Sequence, residues 1–244
     1  MAPWGLQQVK IRTLIPVNLG TADLSHIAIG DDSQDYAVKA VNPAHPELPA
    51  AEAICYQLAG RAGIAVPACA LLTLPDGSQA FGSRFEGGVS QLSQLTITER
   101  FEVIQQCAPW ISALCALDLF LANDDRHFDN ALFRRSRIDN RWTLIAMDFS
   151  RALWLNGFPG TNCATFAGTG NTALTMLPLG STSCWDKARA QTVAAALGTV
   201  DDATIAAWVA ELPAAWITPR VSQLSIWWAS PNRTARIAEL LSCL

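Results

Sequence analysis

Asp125, Asn130 and Asp148 are the residues whose types and spacing could do chemistry together. The first two stand five positions apart in Asn123-Asp124-Asp125-Arg126-His127-Phe128-Asp129-Asn130, and the third follows Met147 in Asp148-Phe149-Ser150. One carboxylate can orient a hydroxyl and take its proton. An amide oxygen and a second carboxylate can hold Mg²⁺ against phosphates. Each element alone is weak, because Asn-Asp-Asp-Arg is also ordinary composition for a solvated surface loop. The ordered set, with an apolar strand before Asp148, is more specific.

The surrounding elements must hold these side chains. An apolar stretch runs to Ala122 and is ended by Asn123-Asp124-Asp125, whose side chains compete for backbone hydrogen bonds, so Asp125 and Asn130 are expected in a loop. Ala131-Leu132-Phe133 reads as a short strand, and Asp139-Asn140 as the turn into a second strand over residues 142–147. A carboxylate placed directly after that strand is costly without a partner or a cation. His127 is expected as a buried, hydrogen-bonded holder of the loop, and Asp124 as a solvated neighbour outside the set. Upstream, Lys39 lies in Tyr36-Ala37-Val38-Lys39-Ala40-Val41, where alternation puts it on the inner face of a small sheet. A lone Lys there needs an anion, unless it is an edge lysine that blunts strand pairing. The next helix carries a single acid, Glu52, among Ala51, Ala53 and Ile54.

The order D-R-H-x-x-N over residues 125–130, then a hydrophobic strand ending in D-F-S, resembles the HipA-like members of the phosphatidylinositol-kinase-like superfamily of atypical kinases. The resemblance extends to Lys39, Glu52 and the phrase Gly63-Ile64-Ala65-Val66-Pro67, and spans about residues 18–150. It implies an ATP- and Mg²⁺-dependent kinase acting on protein serine or threonine. Asp125 would be the catalytic acid–base residue and Asn130 and Asp148 the metal ligands, while Lys39, set by Glu52, would hold the α- and β-phosphates. It also implies a bacterial toxin–antitoxin or stress setting, with an antitoxin-like partner. Asn18-Leu19-Gly20-Thr21-Ala22 stands where the phosphate loop belongs. Its single glycine departs from G-x-G-x-x-G, and Gly20 and Thr21 are the candidates for a backbone anion nest. Arg84-Phe85-Glu86-Gly87-Gly88 stands at the hinge, so Phe85 and Glu86 are the candidate adenine neighbours, and His127 completes the nucleotide-side set.

Two other classes fit part of this pattern. A lipid or small-molecule kinase would share the metal and phosphate residues. Residues 152–183, however, contain no charged side chain, whereas a polyphosphorylated headgroup wants Lys or Arg. An ATP-binding pseudokinase or interaction module is favoured by the single-glycine loop and opposed by the filled base and metal positions.

Composition narrows the field. A net charge of −4 with no Lys/Arg run argues against a nucleic-acid partner. Seven cysteines at positions 55, 69, 107, 115, 163, 184 and 243 form no CxxC pair, so reduced thiols in a cytoplasmic protein are expected rather than a zinc site or disulfides. Of nine tryptophans, Trp208, Trp216, Trp227 and Trp228 stand beside Ala, Leu and Ile and read as packing in the helical lobe. The first twenty residues lack a signal-peptide apolar core, and the apolar stretch at 110–122 reads as too short and too polar to span a bilayer.

Strands are expected over residues 9–17, 25–29, 36–41, 70–74 and 79–85, with a helix at 49–62 whose Ala53, Ile54, Leu58 and Ala62 share one side. Helices follow at 99–121, capped at Thr98 or its neighbour, and at 185–197, 202–212 and 233–241, while residues 150–182 show no clear periodicity. Strands first and helices later fit an α+β chain of two kinase-like lobes. The nucleotide-binding lobe would be residues 1–87 and the catalytic helical lobe residues 88–244.

Overall fold

Alternation in the first strands closes a barrel rather than an open sheet. In the computed structural model, which describes residues 5–16, 26–158 and 170–244, β1 (Gln7–Pro16), β2 (His26–Gly30), β3 (Asp35–Ala40), β4 (Cys69–Thr73) and β5 (Gln79–Arg84) form it in the order β1-β2-β3-β5-β4. The closing pair, β1 with β4, is parallel, and the other pairs are antiparallel. Val9, Ile11, Ala28, Tyr36, Val38, Ala70, Leu72 and Ala80 fill the interior. The alternate residues face outward, and that outer face is where α1 (Leu48–Arg61) packs. Leu71 and Phe81 therefore belong to the main core and not to the barrel interior.

α1 begins with Pro49 in its first turn and ends before Gly63, which takes φ 67°. It is buried nearly all round, from Ala50 to Ala59 except at Gln57, rather than along one stripe. Its alanines let the barrel and the helices behind it approach closely. α2 (Ile97–Phe120) is capped by Thr96, two positions earlier than Thr98, with a reciprocal bond between Thr96 and Glu99. α2 is longer than the apolar stretch at 110–122 because it begins at Ile97, and by length and composition alone it is long and apolar enough to cross a bilayer, but 72% of its most apolar window is buried inside the fold.

β6 (Ala131–Arg135) and β7 (Trp142–Ala146) make a hairpin packed on α2. Beyond it come α3 (Asn171–Ser181), α4 (Lys187–Thr199), α5 (Asp202–Glu211), α6 (Pro219–Ala229) and α7 (Pro231–Cys243). α3 and α6 had no clear signal in the sequence. α3 is a short Thr/Leu/Gly/Pro stretch, and only three residues of α6 (Val221, Leu224 and Trp228) are buried. Among the described residues Cys55, Cys107 and Cys115 are buried and Cys69, Cys184 and Cys243 partly so, all as free thiols.

Candidate active site

The site is assembled at the ends of three elements: β3, α2 and β7. Lys39 sits near the end of β3 opposite Phe81 on β5, so it shares the outer barrel face that α1 covers. The expectation that it lies inside a small sheet needs this correction. Barrel closure leaves the interior to Tyr36 and Val38, and Lys39 is buried instead beneath α1. There its Nζ meets Glu52 Oε1 at 3.6 Å and Asp148 Oδ1 at 3.1 Å.

Glu52 is 1% exposed, and its Oε1 also accepts the Phe149 backbone N–H at 3.2 Å. Burial pushes its carboxyl up to about 7, although Lys39 limits the rise. Asp148 follows β7 with φ 58°, a left-handed conformation that Asp tolerates better than most residues. That turn aims its carboxylate back at Lys39 and at Ser150, whose Oγ donates at 2.6 Å. Burial would raise the Asp148 carboxyl, but Lys39, Ser150 and Arg126 together hold it well below the usual carboxylate range. Two acids around one ammonium are therefore shifted in opposite directions: burial dominates at Glu52 and raises its carboxyl, and charge and hydrogen-bond partners dominate at Asp148 and lower it.

α2 ends at Leu121, and Ala122 turns the chain with φ 56°. The Asn123 N–H returns to Asp118 O at 2.9 Å, and Leu153 N–H caps Leu121 O at 2.8 Å. Asp125 lies in the loop that follows, and Asn130 ends a 3₁₀ turn over Phe128–Asn130 immediately before β6. The Asn130 Nδ2 donates to Asp125 O at 3.1 Å, so the oxygen Oδ1 is the side-chain atom left to bind a cation. Asp125 Oδ1 accepts from Asn171 Nδ2 at 2.6 Å, and Arg151 Nε stands 4.0 Å from Oδ2.

His127 does not hold this loop through its ring. It is exposed, and only its backbone carbonyl contributes, accepting from Asn130 N–H at 2.9 Å. The buried holder is its neighbour Arg126, which bonds Asp118 through Nε at 2.7 Å and through Nη2 at 3.1 Å. Asp124 is exposed, as expected. Phe85 is half-exposed and its N–H is committed to Asp35 O at 2.9 Å, while Glu86 accepts from Arg134 at 2.7 Å. Gly20 and Thr21 lie outside the described residues.

Sequence reasoning missed Asp118, Arg126, Asn171 and Ser150 as members of the site. Asp118 had a signal: a lone acid inside the apolar C-terminal half of α2 must have a buried partner. Asn171 had none, because the contact joins a featureless polar residue to a loop 46 positions away.

Mg²⁺ can be tested against the side chains present. Among the described residues no cluster of three or more His, Cys, Asp or Glu side chains forms a self-sufficient cage. Asn130 Oδ1 and Asp148 Oδ2 are hard oxygen donors, and Mg²⁺ commonly takes few protein ligands and completes its shell with phosphate and water. The donor set fits. A groove of about 460 Å³ among Trp154, Phe158, Leu224 and Trp227 lies elsewhere and includes none of these polar residues.

No family profile matches the chain, and the comparison with curated proteins found no match. Among solved structures it is similar to the Helicobacter pylori proinflammatory kinase CtkA, with a TM-score of 0.56 and 10% identity over 97% of this chain and 98% of that one. At that identity the likeness is one of fold: a mixed α+β chain with a kinase-like arrangement.

Proposed function

We propose that this protein is an ATP- and Mg²⁺-dependent phosphotransferase, a HipA-like kinase acting on protein serine or threonine. The observation that carries the reading is the meeting of Lys39 with Glu52 and Asp148, a strand cation between a helix acid and the acid that opens D-F-S. In this reading the barrel and α1 form a nucleotide-binding lobe over residues 1–87, and residues 88–244 form a catalytic helical lobe. Phe85 would offer its ring and Glu86 its backbone to adenine, and Gly20 and Thr21 would cover the phosphates.

Asn130 and Asp148 would hold Mg²⁺, which when bound neutralises charge on the phosphates. Lys39 would bind the α- and β-phosphates, with Glu52 fixing its direction. Asp125 would orient the acceptor hydroxyl and take its proton, while Asn171 holds the carboxylate's other oxygen. A protein acceptor suits the uncharged segment 152–183, and an antitoxin-like partner in the cytoplasm would be the setting.

The test is thermal stabilisation by ATP with and without Mg²⁺, followed by labelled-ATP transfer into the protein itself and into a cell lysate. Mg²⁺-dependent stabilisation at millimolar ATP is expected from binding to the folded state. No stabilisation would remove the kinase reading, and stabilisation without transfer to any acceptor or to water would leave a nucleotide-binding module.

A further inference from the structure

We propose that Arg126, paired with Asp118, is a positioning residue that fixes the two candidate metal ligands, Asn130 and Asp148, relative to each other. This rests on the kinase reading above. Arg126 is 1% exposed and Asp118 fully buried, so their pairing is shielded from water. The guanidinium uses Nε and Nη2 for the two oxygens of Asp118. Its Nη1 is then directed at two backbone carbonyls: that of Asn130, at 2.8 Å, and that of Met147, the residue before Asp148. One nitrogen thus joins the start of β6 to the end of β7 where each presents a metal-binding side chain. The Phe149 ring packs on the guanidinium at 4.7 Å, which seats the residue on the other side of Asp148.

The same carboxylate also reaches the candidate base. Asp118 Oδ1 accepts from Asn123 Nδ2 at 2.7 Å, and Asn123 Oδ1 accepts from the Asp125 N–H at 3.3 Å. The Arg126 backbone is pinned from α3, its N–H donating to Thr172 Oγ1 at 3.0 Å and its carbonyl accepting from Thr175 Oγ1 at 2.7 Å. The buried C-terminal half of α2 therefore serves as the common reference for Asp125, Asn130 and Asp148. Only a planar fork can make a bidentate pair and still reach two carbonyls. A lysine keeps the charge and loses that geometry.

The discriminating variants are Arg126→Lys and Asp118→Asn. Mn²⁺ binding is followed by electron paramagnetic resonance of the free ion, in the presence of ADP, alongside metal-free ADP binding and ATP hydrolysis to water. Outer partners of metal ligands typically govern affinity by about 10–100-fold. The expected result is a weakening of Mn²⁺ binding of that order and a lower kcat in both variants, with metal-free ADP binding unchanged. Variants that melt earlier but bind Mn²⁺ like wild type below their melting temperature would overturn the proposal. Loss of the fold in both would also overturn it, since the pair would then serve the chain and not the site. Wild type that takes up no Mn²⁺ with ADP would instead sink the kinase reading, and this proposal with it.

Discussion

Lys39 donates to Asp148 across 3.1 Å, joining two residues 109 positions apart in sequence. Glu52 approaches the same ammonium at 3.6 Å, so one cation compensates two acids. Nucleotide phosphates entering this cleft would take over part of the ammonium's bonding and release Asp148 toward Mg²⁺. In the kinase reading proposed above, the pairing would be a resting arrangement of groups that ATP redistributes.

Lys39→Met should abolish phosphotransfer by removing the phosphate partner. It should also destabilise, because the two acids lose their cation. Breaking a fully buried pair costs about 3–5 kcal/mol, and the cost here should fall below that, since the Asp148 side chain is 31% exposed and Glu52 can take up a proton. The deficit relative to wild type should be larger at pH 8 than at pH 6. Urea midpoints at the two pH values check this, and equal stability of variant and wild type at both would contradict the pairing.

Glu52→Gln isolates the neutral-pH titration. The folded carboxyl is raised from an ordinary 4.5 to about 7, chiefly by burial. A raised pKa means that its contribution is fully present below about 4.5 and is lost as pH rises through 7. At 1.36 kcal/mol per pH unit this amounts to about 3 kcal/mol across that window. Asp148 has the opposite sign, its depressed carboxyl costing stability only in more acidic solution. Glu52→Gln keeps an acceptor for the Phe149 N–H and removes the charge, so its stability relative to wild type should climb between pH 5 and pH 8. A flat difference would mean that Glu52 does not titrate there.

Asp125→Asn should retain Mg²⁺-dependent ATP binding and lose turnover by about 10²–10⁴, the usual range for a proton acceptor. An interaction needed mainly in the transition state lowers kcat with little effect on ATP affinity. Asp124→Ala is the control, because its side chain is exposed beside the loop. Loss of activity in Asp124→Ala with retention in Asp125→Asn would shift the site by one residue.

What was legible in the sequence follows from how local each signal is. The barrel strands, α1 and the β6–β7 hairpin came from alternation and turn residues within ten positions, and their observed limits differ from those expected by one or two residues. Lys39, Glu52 and Asp148 were singled out because a charge in an apolar setting demands a partner, and Asp125 and Asn130 because of their spacing in a polar loop. The partnership of Arg126 was not, since the role of loop holder was assigned to its neighbour His127. Whether Arg126 or His127 turns inward is set by the fold of the 3₁₀ turn and the seat Asp118 provides, neither of which a loop sequence displays. α3 was missed for the same reason. It buries only Ala173, Met176 and Leu179 as an apolar stripe, and Thr172 and Thr175 bind it to the distant loop at Asn123 and Arg126.

That docking gives the last prediction. Gly170, the cap of α3, has φ −70° and ψ 162°, which any residue can adopt, so its need for glycine is one of space. A Cβ there would meet the Asp124 carbonyl oxygen at 2.8 Å and Asp124 Cβ at 3.1 Å. Backbone cannot swing aside as a side-chain tip can, so Gly170→Ala should push the start of α3 off the loop. The bonds lost first would be Thr172 N–H to Asp124 O, at 3.1 Å, and Asn171 to Asp125, at 2.6 Å. Turnover should fall with a smaller effect on ATP binding, because Lys39, Glu52 and Asp148 lie on other elements. Gly180→Ala in the same helix is the control: its Cβ would meet nothing within 4 Å. It should stabilise the helix by up to about 1 kcal/mol and leave turnover alone. Parallel measurement of melting temperature and ATP turnover separates the two, and a Gly170→Ala variant as active as wild type would show that the α3 contact does not position Asp125.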